Sequence, residues 1–288
     1  MPDENPILIY WRSEVEAFTK NLLSLKEQIN EPAIHDLRVA IKKLRSCFKM
    51  YAGVIKKGHK KEFPADIDSL FAILGKHRNI EMSKTLLTSL AGKNATFLTP
   101  VLVYLQLLQD QASEYSRPTI RQFESKELDA LTNNIETEFK YLNDEEVLSK
   151  TNGMVDSSLK KVQDDLKHFK ERSHLVRKQL KDIFYQAKMF HGKSSFTKPQ
   201  LKNLDTILDH LGNIHDHEVL ISNLKNFRKT ILSNTMKEYA IIKRIETRAK
   251  KKKDDLLDKA YESTEKLIAD YKKAVPEKQT PKITVEVN

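Results

Sequence analysis

An all-α fold is what this sequence predicts, on three observations. Apolar residues recur at steps of three and four through most of the 288 positions, the spacing that lines one face of a helix. Only seven glycines interrupt the pattern, too few for a chain built from tight turns. One arrangement of residues is also written twice, the copies displaced by 139 positions.

Residues 7–29 carry Leu8, Trp11, Val15, Phe18, Leu22, Leu25 and Ile29 at helical steps, and Asn30 with Pro32 marks the end of this helix. Residues 31–51, EPAIHDLRVAIKKLRSCFKMY, hold two stripes on one short helix. Ile34, Leu37, Ile41, Leu44 and Phe48 make an apolar face that seeks a core. His35, Arg38, Lys42, Arg45 and Lys49 each follow one position later, within an arc of about 80° at 100° per residue, and Lys43 lies to their side. A cationic row directly beside a core stripe suits the wall of a groove better than an outer solvated face. The helix stops near Gly53 to Gly58.

A third helix is expected over 62–91, with Ile67, Leu70, Phe71, Leu74, Leu86, Leu87 and Leu90 apolar and Lys76, His77 and Arg78 near its middle. The loop AGKNAT leads to a fourth, 97–115, the most apolar of the chain, which completes a first four-helix unit. Residues 118–153 are acidic on balance, and Asn152 with Gly153 is the expected boundary between halves: an N-terminal bundle at 1–150 and a C-terminal one at 151–275. Helical pattern resumes through LKKVQDDLKHFK into a second basic segment, as one helix or as two broken near Ser173; His191 and Gly192 end it. Pro199 opens the next helix, and residues 232–273 form a long charged last one. Its run Lys250 to Lys253 adjoins Asp254 and Asp255 and reads as solvated surface, and residues 276–288 read as a disordered tail.

The second copy pairs His174 with His35, Arg177 with Arg38, Lys181 with Lys42 and Lys188 with Lys49. A further match follows each: LGKHRNIEM at 74–82 against LGNIHDHEV at 211–219, now displaced by 137. Two matched blocks in one order argue for duplication. Asp182 and Phe184 stand where Lys43 and Arg45 stand, so the second wall is the weaker. Charge is concentrated in the same segments. Residues 31–61 and 172–202 each carry +7, against a whole-chain charge of +10, so everything else sums to −4. Localised basicity implies a polyanionic partner more than a general aid to solubility.

The pattern His-x-x-Arg-x-x-x-(Lys/Arg)-(Lys/Arg)-x-Arg in HDLRVAIKKLR, its second copy in HLVRKQLK, and the Leu-Gly segment after each resemble the CHAD family, the conserved-histidine alpha-helical domain. The resemblance covers roughly residues 7–275. It implies two antiparallel helical bundles related by a pseudo-twofold, with a basic groove between them that binds inorganic polyphosphate without catalysis. On this expectation His35, Arg38, Lys42, Arg45 and Lys49 form the stronger wall and His174, Arg177, Lys181 and Lys188 the weaker. Lys43, Lys76, His77, Arg78, His210 and His215 are secondary contacts. Affinity should rise as pH falls through about 6.5, the ordinary histidine pKa, because a bound anion favours imidazolium.

His35-Asp36 and His215-Asp216-His217 raise the alternative of a metal-dependent phosphohydrolase. Adjacent helical residues point about 100° apart and cannot easily share one metal, so no metal or cofactor is expected. No phosphate-binding glycine loop, dinucleotide turn or nucleophile elbow is present either. Nucleic acid ranks second among partners, because the stripes lack interleaved aromatics for stacking bases. The single Cys47 excludes an internal disulfide and fits a reducing compartment. MPDENPILIYWR has acids where a signal peptide has cations, and no apolar run reaches membrane-spanning length. A cytoplasmic protein is expected, with association with polyphosphate granules implied by the resemblance alone.

Overall fold

The structure, a computed structural model, describes residues 5–55, 62–92, 97–139, 142–190 and 194–274. Within them the fold is all-α, with nine helices and no strand. They are α1 Pro6–Glu27, α2 Glu31–Val54, α3 Ala65–Ala91, α4 Thr99–Gln122, α5 Lys126–Phe139, α6 Asp144–Leu166, α7 Phe169–Met189, α8 Lys198–Thr230 and α9 Lys237–Ala274. None of them is long and apolar enough to cross a membrane.

Local chemistry sets the starts. The Asn30 side chain accepts a hydrogen bond from the Ala33 amide at 2.9 Å and Pro32 occupies the first turn of α2, so one orphan donor is satisfied and another is absent. Thr197 and Gln200 cap α8 reciprocally, with Pro199 inside the first turn as expected. Asn143 caps α6, whose first turn holds Asp144, Glu145 and Glu146 against the positive end of the helix dipole.

Three expectations change. The fourth helix, expected to end at 115, continues past Pro118 to Gln122, and α5 and the start of α6 follow it within 118–153. Asn152 and Gly153 lie in the middle of α6 and break nothing. Val147, Val155, Leu159 and Val162 are buried along that helix. At about 1.5–3 kcal/mol each, their burial outweighs the roughly 1 kcal/mol that a helical glycine costs. The undecided stretch before the second basic segment is two helices, parted at Lys167–His168 rather than near Ser173. The expected stop at His191 and Gly192, Gly58 at the end of the basic helix, and the tail from 276 lie outside the described residues.

The core is organised differently from the two sequence halves. One buried cluster takes α1, α2, α5, α6 and α7 with the first half of α3, the first half of α8 and the second half of α9. The other takes the second half of α3, the start of α4, the second half of α8 and the first half of α9. Each therefore mixes residues from both sides of position 150. On α3 the handover falls between Leu74 and Ile80, and on α8 between Ile214 and Leu220. Those intervals are the two Leu-Gly motif segments, so polar chemistry gathers where the two apolar cores separate.

Candidate functional site

Helices α2 and α7 pack on each other, α3 packs on α2, and α8 packs on both α7 and α3. This brings the two copies of the cationic stripe together. Lys181 on α7 lies close enough to Lys42 on α2 to depress its proton affinity. Arg38, Arg177 and Arg78 crowd the same place, each close enough to Lys42 to depress its proton affinity. Among the described residues none of these five cations is ion-paired to a carboxylate.

For Lys42, Lys181 and Arg38 burial comes first and repulsion by neighbouring cations second, whereas Arg177 is lowered by burial, with Asp216 and Tyr185 opposing. Lys42 falls from an ordinary 10.5 to about 6 through burial and then Lys181, Arg38, Arg177 and Arg78. Burial, then Arg177 and Arg38, lowers Lys181 to about 8. Arg38 falls to about 10 through burial and the neighbouring Arg45, Arg78 and Arg177, and remains a cation at neutral pH. A group of like charges that burial and one another all disfavour would gain from a nearby anion, which offsets both costs at once.

The two Leu-Gly motifs serve these arginines. Arg38 donates to the Phe71 carbonyl and lies 4.0 Å above the Phe71 ring centroid. A Cβ on Gly75 would come within 3.0 Å of its Nη1. Arg177 runs equally over Gly212, where a Cβ would lie 3.7 Å from its Nη2. In each half a guanidinium from the preceding basic helix lies over a glycine of α3 or α8, and on α3 the missing side chain is what makes room for it. Phe71 is one turn before Gly75 and also carries Arg45 at 4.2 Å, an aromatic platform that sequence reading assigned only to the core. The matching position one turn before Gly212 is Leu208, so the second half has no such platform.

The histidines divide. His35 stands next to Arg78, Lys42 and Arg38, and its pKa is lowered by the desolvation it suffers and by these cations. His174 and His215 face each other across α7 and α8, ring centroids 6.0 Å apart, and both are lowered, first by burial. His215 also feels Arg177, and His174 feels Lys178, which sequence reading had passed over. His77 is turned away: it is completely buried, its Nε2 2.9 Å from Ser116 Oγ and its Nδ1 3.1 Å from Gln109. It holds α4 rather than a ligand and drops out of the site. The His210 Nδ1 is buried without a partner. His217 lies 2.7 Å from the Asn213 carbonyl. Among the described residues no group of three His, Cys, Asp or Glu is arranged to hold a metal ion.

The remaining stripe residues are spoken for. Lys43 pairs with buried Glu14 at 2.7 Å and ties α2 to α1. Arg45 binds Asp68 at 2.8 Å, and Lys49 binds Asp182 across the α2–α7 junction. Lys188 sits 4.2 Å over Phe184, and Lys76 sits 4.8 Å over Tyr115 toward α4. The two departures of the second copy thus have structural tasks: Asp182 receives Lys49, and Phe184 carries Lys188.

A family model described as the CHAD domain matches residues 9–225. The chain belongs to the CHAD family. The match ends within α8, and α9, which closes both apolar clusters, lies beyond it. The crystal structure of the CHAD domain from the plant Ricinus communis resembles this chain with a TM-score of 0.68 over 90% of each chain, at 17% sequence identity. That likeness is one of fold. Among curated proteins none matches the sequence.

Proposed function

We propose that this CHAD protein binds inorganic polyphosphate, without catalysis, in a basic groove where α2 and α7 meet. The observation that carries the reading is the convergence of Arg38, Lys42, Arg177 and Lys181, drawn from both copies of the stripe, with Arg78 of α3, none of them ion-paired to a carboxylate among the described residues. Guanidinium forks suit phosphate oxygens, and the two lysines supply charge that a phosphate chain would recover as it binds. His35, His174 and His215 flank the cluster as additional donors. The cellular setting consistent with this is the cytoplasm, with polyphosphate granules as the place where such a ligand is abundant.

Nucleic acid is a poorer fit. The aromatic face nearest the cluster, Phe71, is already covered by Arg38 and Arg45 and offers nothing for a base to stack on. Titration with long-chain polyphosphate, in competition with duplex DNA and single-stranded RNA at two salt concentrations, tests the choice. Binding should weaken steeply with salt, through counterion release, and nucleic acid should fail to displace polyphosphate. Equal competition by nucleic acid would replace polyphosphate with a general polyanion.

The two glycines give a paired test. Gly212→Ala adds a methyl at ordinary contact distance from Arg177, so it should gain up to about 1 kcal/mol of helix stability and keep polyphosphate affinity. Gly75→Ala places its methyl 3.0 Å from Arg38 Nη1 and must displace the guanidinium. Its affinity should fall while its thermal midpoint stays close to that of the parent. Equal effects of the two substitutions on affinity would remove Arg38 from the site.

A further inference from the structure

The passage from α8 into α9 carries more charge than either stripe. Residues 222–253 hold eleven Lys/Arg and two acids, +9 against the +7 of each basic segment. Of the acids, Glu246 is buried and takes Arg228 at 3.3 Å and Lys250 at 3.0 Å, and Glu238 lies in the first turn of α9. Lys253 pairs with Asp254 at 3.8 Å. Lys243, Arg244, Lys251 and Lys252 are exposed, and among the described residues none of the four is ion-paired to a carboxylate. At 100° per residue they share the half of α9 that also shows Ala240 and Thr247 to solvent. Arg248, exposed beside them, is tied back to the Leu90 carbonyl at 3.2 Å. Exposed Asp254, Asp255 and Asp258 bound the face at its C-terminal end. All of it lies beyond residue 225, where the family match ends.

The exposed side of a single helix is an open ridge, where a thin chain meets charge on one side only. The apolar residues of this stretch, Ile241, Ile242, Ile245 and Ala249, are buried in the second cluster, so the ridge has nothing to insert into a lipid surface. Tyr239 is covered by the Arg228 guanidinium at 4.9 Å and offers no platform for the bases of a single strand. The Thr247 hydroxyl donates to the Lys243 carbonyl at 3.0 Å, which leaves no neutral side chain aimed at the ribose hydroxyls of an RNA duplex. What suits the ridge is a broad rod with its charges on the outside. From Lys243 to Lys252 the helix rises about 14 Å, and a DNA duplex presents about eight phosphate charges over that length. We propose that the exposed face of α9 binds duplex DNA through the phosphate backbone, without regard to base sequence, at a site distinct from the α2–α7 cluster. Lys243, Arg244, Lys251 and Lys252 are the contacts. Such contacts position a duplex and carry no sequence information.

The test titrates the full chain with a short DNA duplex, with a second duplex of shuffled sequence and, separately, with long-chain polyphosphate, each at several salt concentrations. One variant combines Lys243→Gln, Arg244→Gln, Lys251→Gln and Lys252→Gln; the other is Arg38→Ala/Arg177→Ala. Gln keeps helix propensity and the four positions are exposed, so the first variant should keep the parent's thermal midpoint. It should bind DNA at least about tenfold more weakly, with a log–log salt slope smaller by about three to four, and hold polyphosphate within about threefold of the parent. The arginine variant should show the reverse pattern, and the two duplexes should bind alike. DNA binding by the Gln variant as tight as the parent's would overturn the site. An equal loss of DNA binding in the arginine variant would also overturn it, by placing the duplex at the α2–α7 cluster. Tighter binding of single-stranded DNA, duplex RNA or phosphatidylserine vesicles than of duplex DNA would overturn the choice of partner. Protein that binds DNA as described and fails to bind polyphosphate would overturn the polyphosphate reading and leave this one standing.

Discussion

Lys42→Met should make the free protein more stable and its polyphosphate complex weaker. Both effects come from one cause. Lys42 is held among four other cations without a carboxylate partner, so its charge is disfavoured until an anion arrives. Met keeps the length of the side chain and places a thioether near Phe71, whose ring centroid lies 5.7 Å from the Lys42 amine. A gain of about 1–3 kcal/mol is in the usual range for relieving a buried unpaired charge. At about 2–4 °C per kcal/mol for a chain of this size, thermal denaturation resolves it. Polyphosphate affinity should fall about tenfold, the scale of one charged contact. A variant that loses stability, or that gains stability and binds as well as the parent, would remove Lys42 from the site.

The sign of the pH dependence follows. Between about 6 and 10.5 the unfolded chain holds a proton on Lys42 that the folded chain lacks. Stability of the free protein therefore rises with pH across that window. Lys181 adds to the same slope from about 8 upward. A bound polyanion returns the proton, so polyphosphate should protect most near pH 6–7 and least near pH 9. The histidine-based expectation of a step at the ordinary pKa is thereby revised. His35, His174 and His215 are all lowered, so their share of the gain appears below about 6.5, and the lysine pair supplies the response nearer neutrality.

Arg38→Ala/Arg177→Ala should be the most damaging pair of substitutions for binding. Each guanidinium lost should cost about 1.5–3 kcal/mol as a charged hydrogen-bonding partner. The pair should cost less than the sum, because removing either arginine eases the protonation of Lys42. The slope of log affinity against log salt should fall by about one for each arginine. Arg45→Ala and Lys49→Ala are the contrast. Sequence ranks them with Arg38, but Asp68 and Asp182 already neutralise them, and affinity should stay within about threefold of the parent. Titration of the Arg38→Ala and Arg177→Ala single variants, their double, Arg45→Ala and Lys49→Ala separates the residues that meet the ligand from those that hold helices together. Equal losses at Arg45 and Arg38 would mean that net charge alone drives binding.

Much of the fold could be read from spacing, because α1–α4 and α7–α9 carry apolar stripes beside polar ones. The same signal was present in α5, where Leu128, Leu131, Ile135 and Phe139 are buried at steps of three and four, but an acidic composition and a following Asn-Gly pair drew the reading toward a boundary. Arg38, Lys42, Arg177 and Lys181 were legible because duplication marked them twice. Their neutralised neighbours were not, since Glu14, Asp68 and Asp182 lie 29, 23 and 133 residues from the cations they hold. His77 and Arg78 differ by a single position, and one step around a helix decides which enters the core. Phe71 needed knowledge of which guanidinium crosses α3, a fact of packing rather than of pattern.

Calorimetry of polyphosphate binding at pH 7.5, repeated in buffers of different ionisation enthalpy, measures the protons taken up as the complex forms. With Lys42 lowered to about 6 and Lys181 to about 8 in the free protein, binding at their cluster should take up about one proton, and Lys42→Met should abolish most of that uptake. Binding with no proton uptake, or with the same uptake in Lys42→Met, would place the polyanion somewhere other than between α2 and α7.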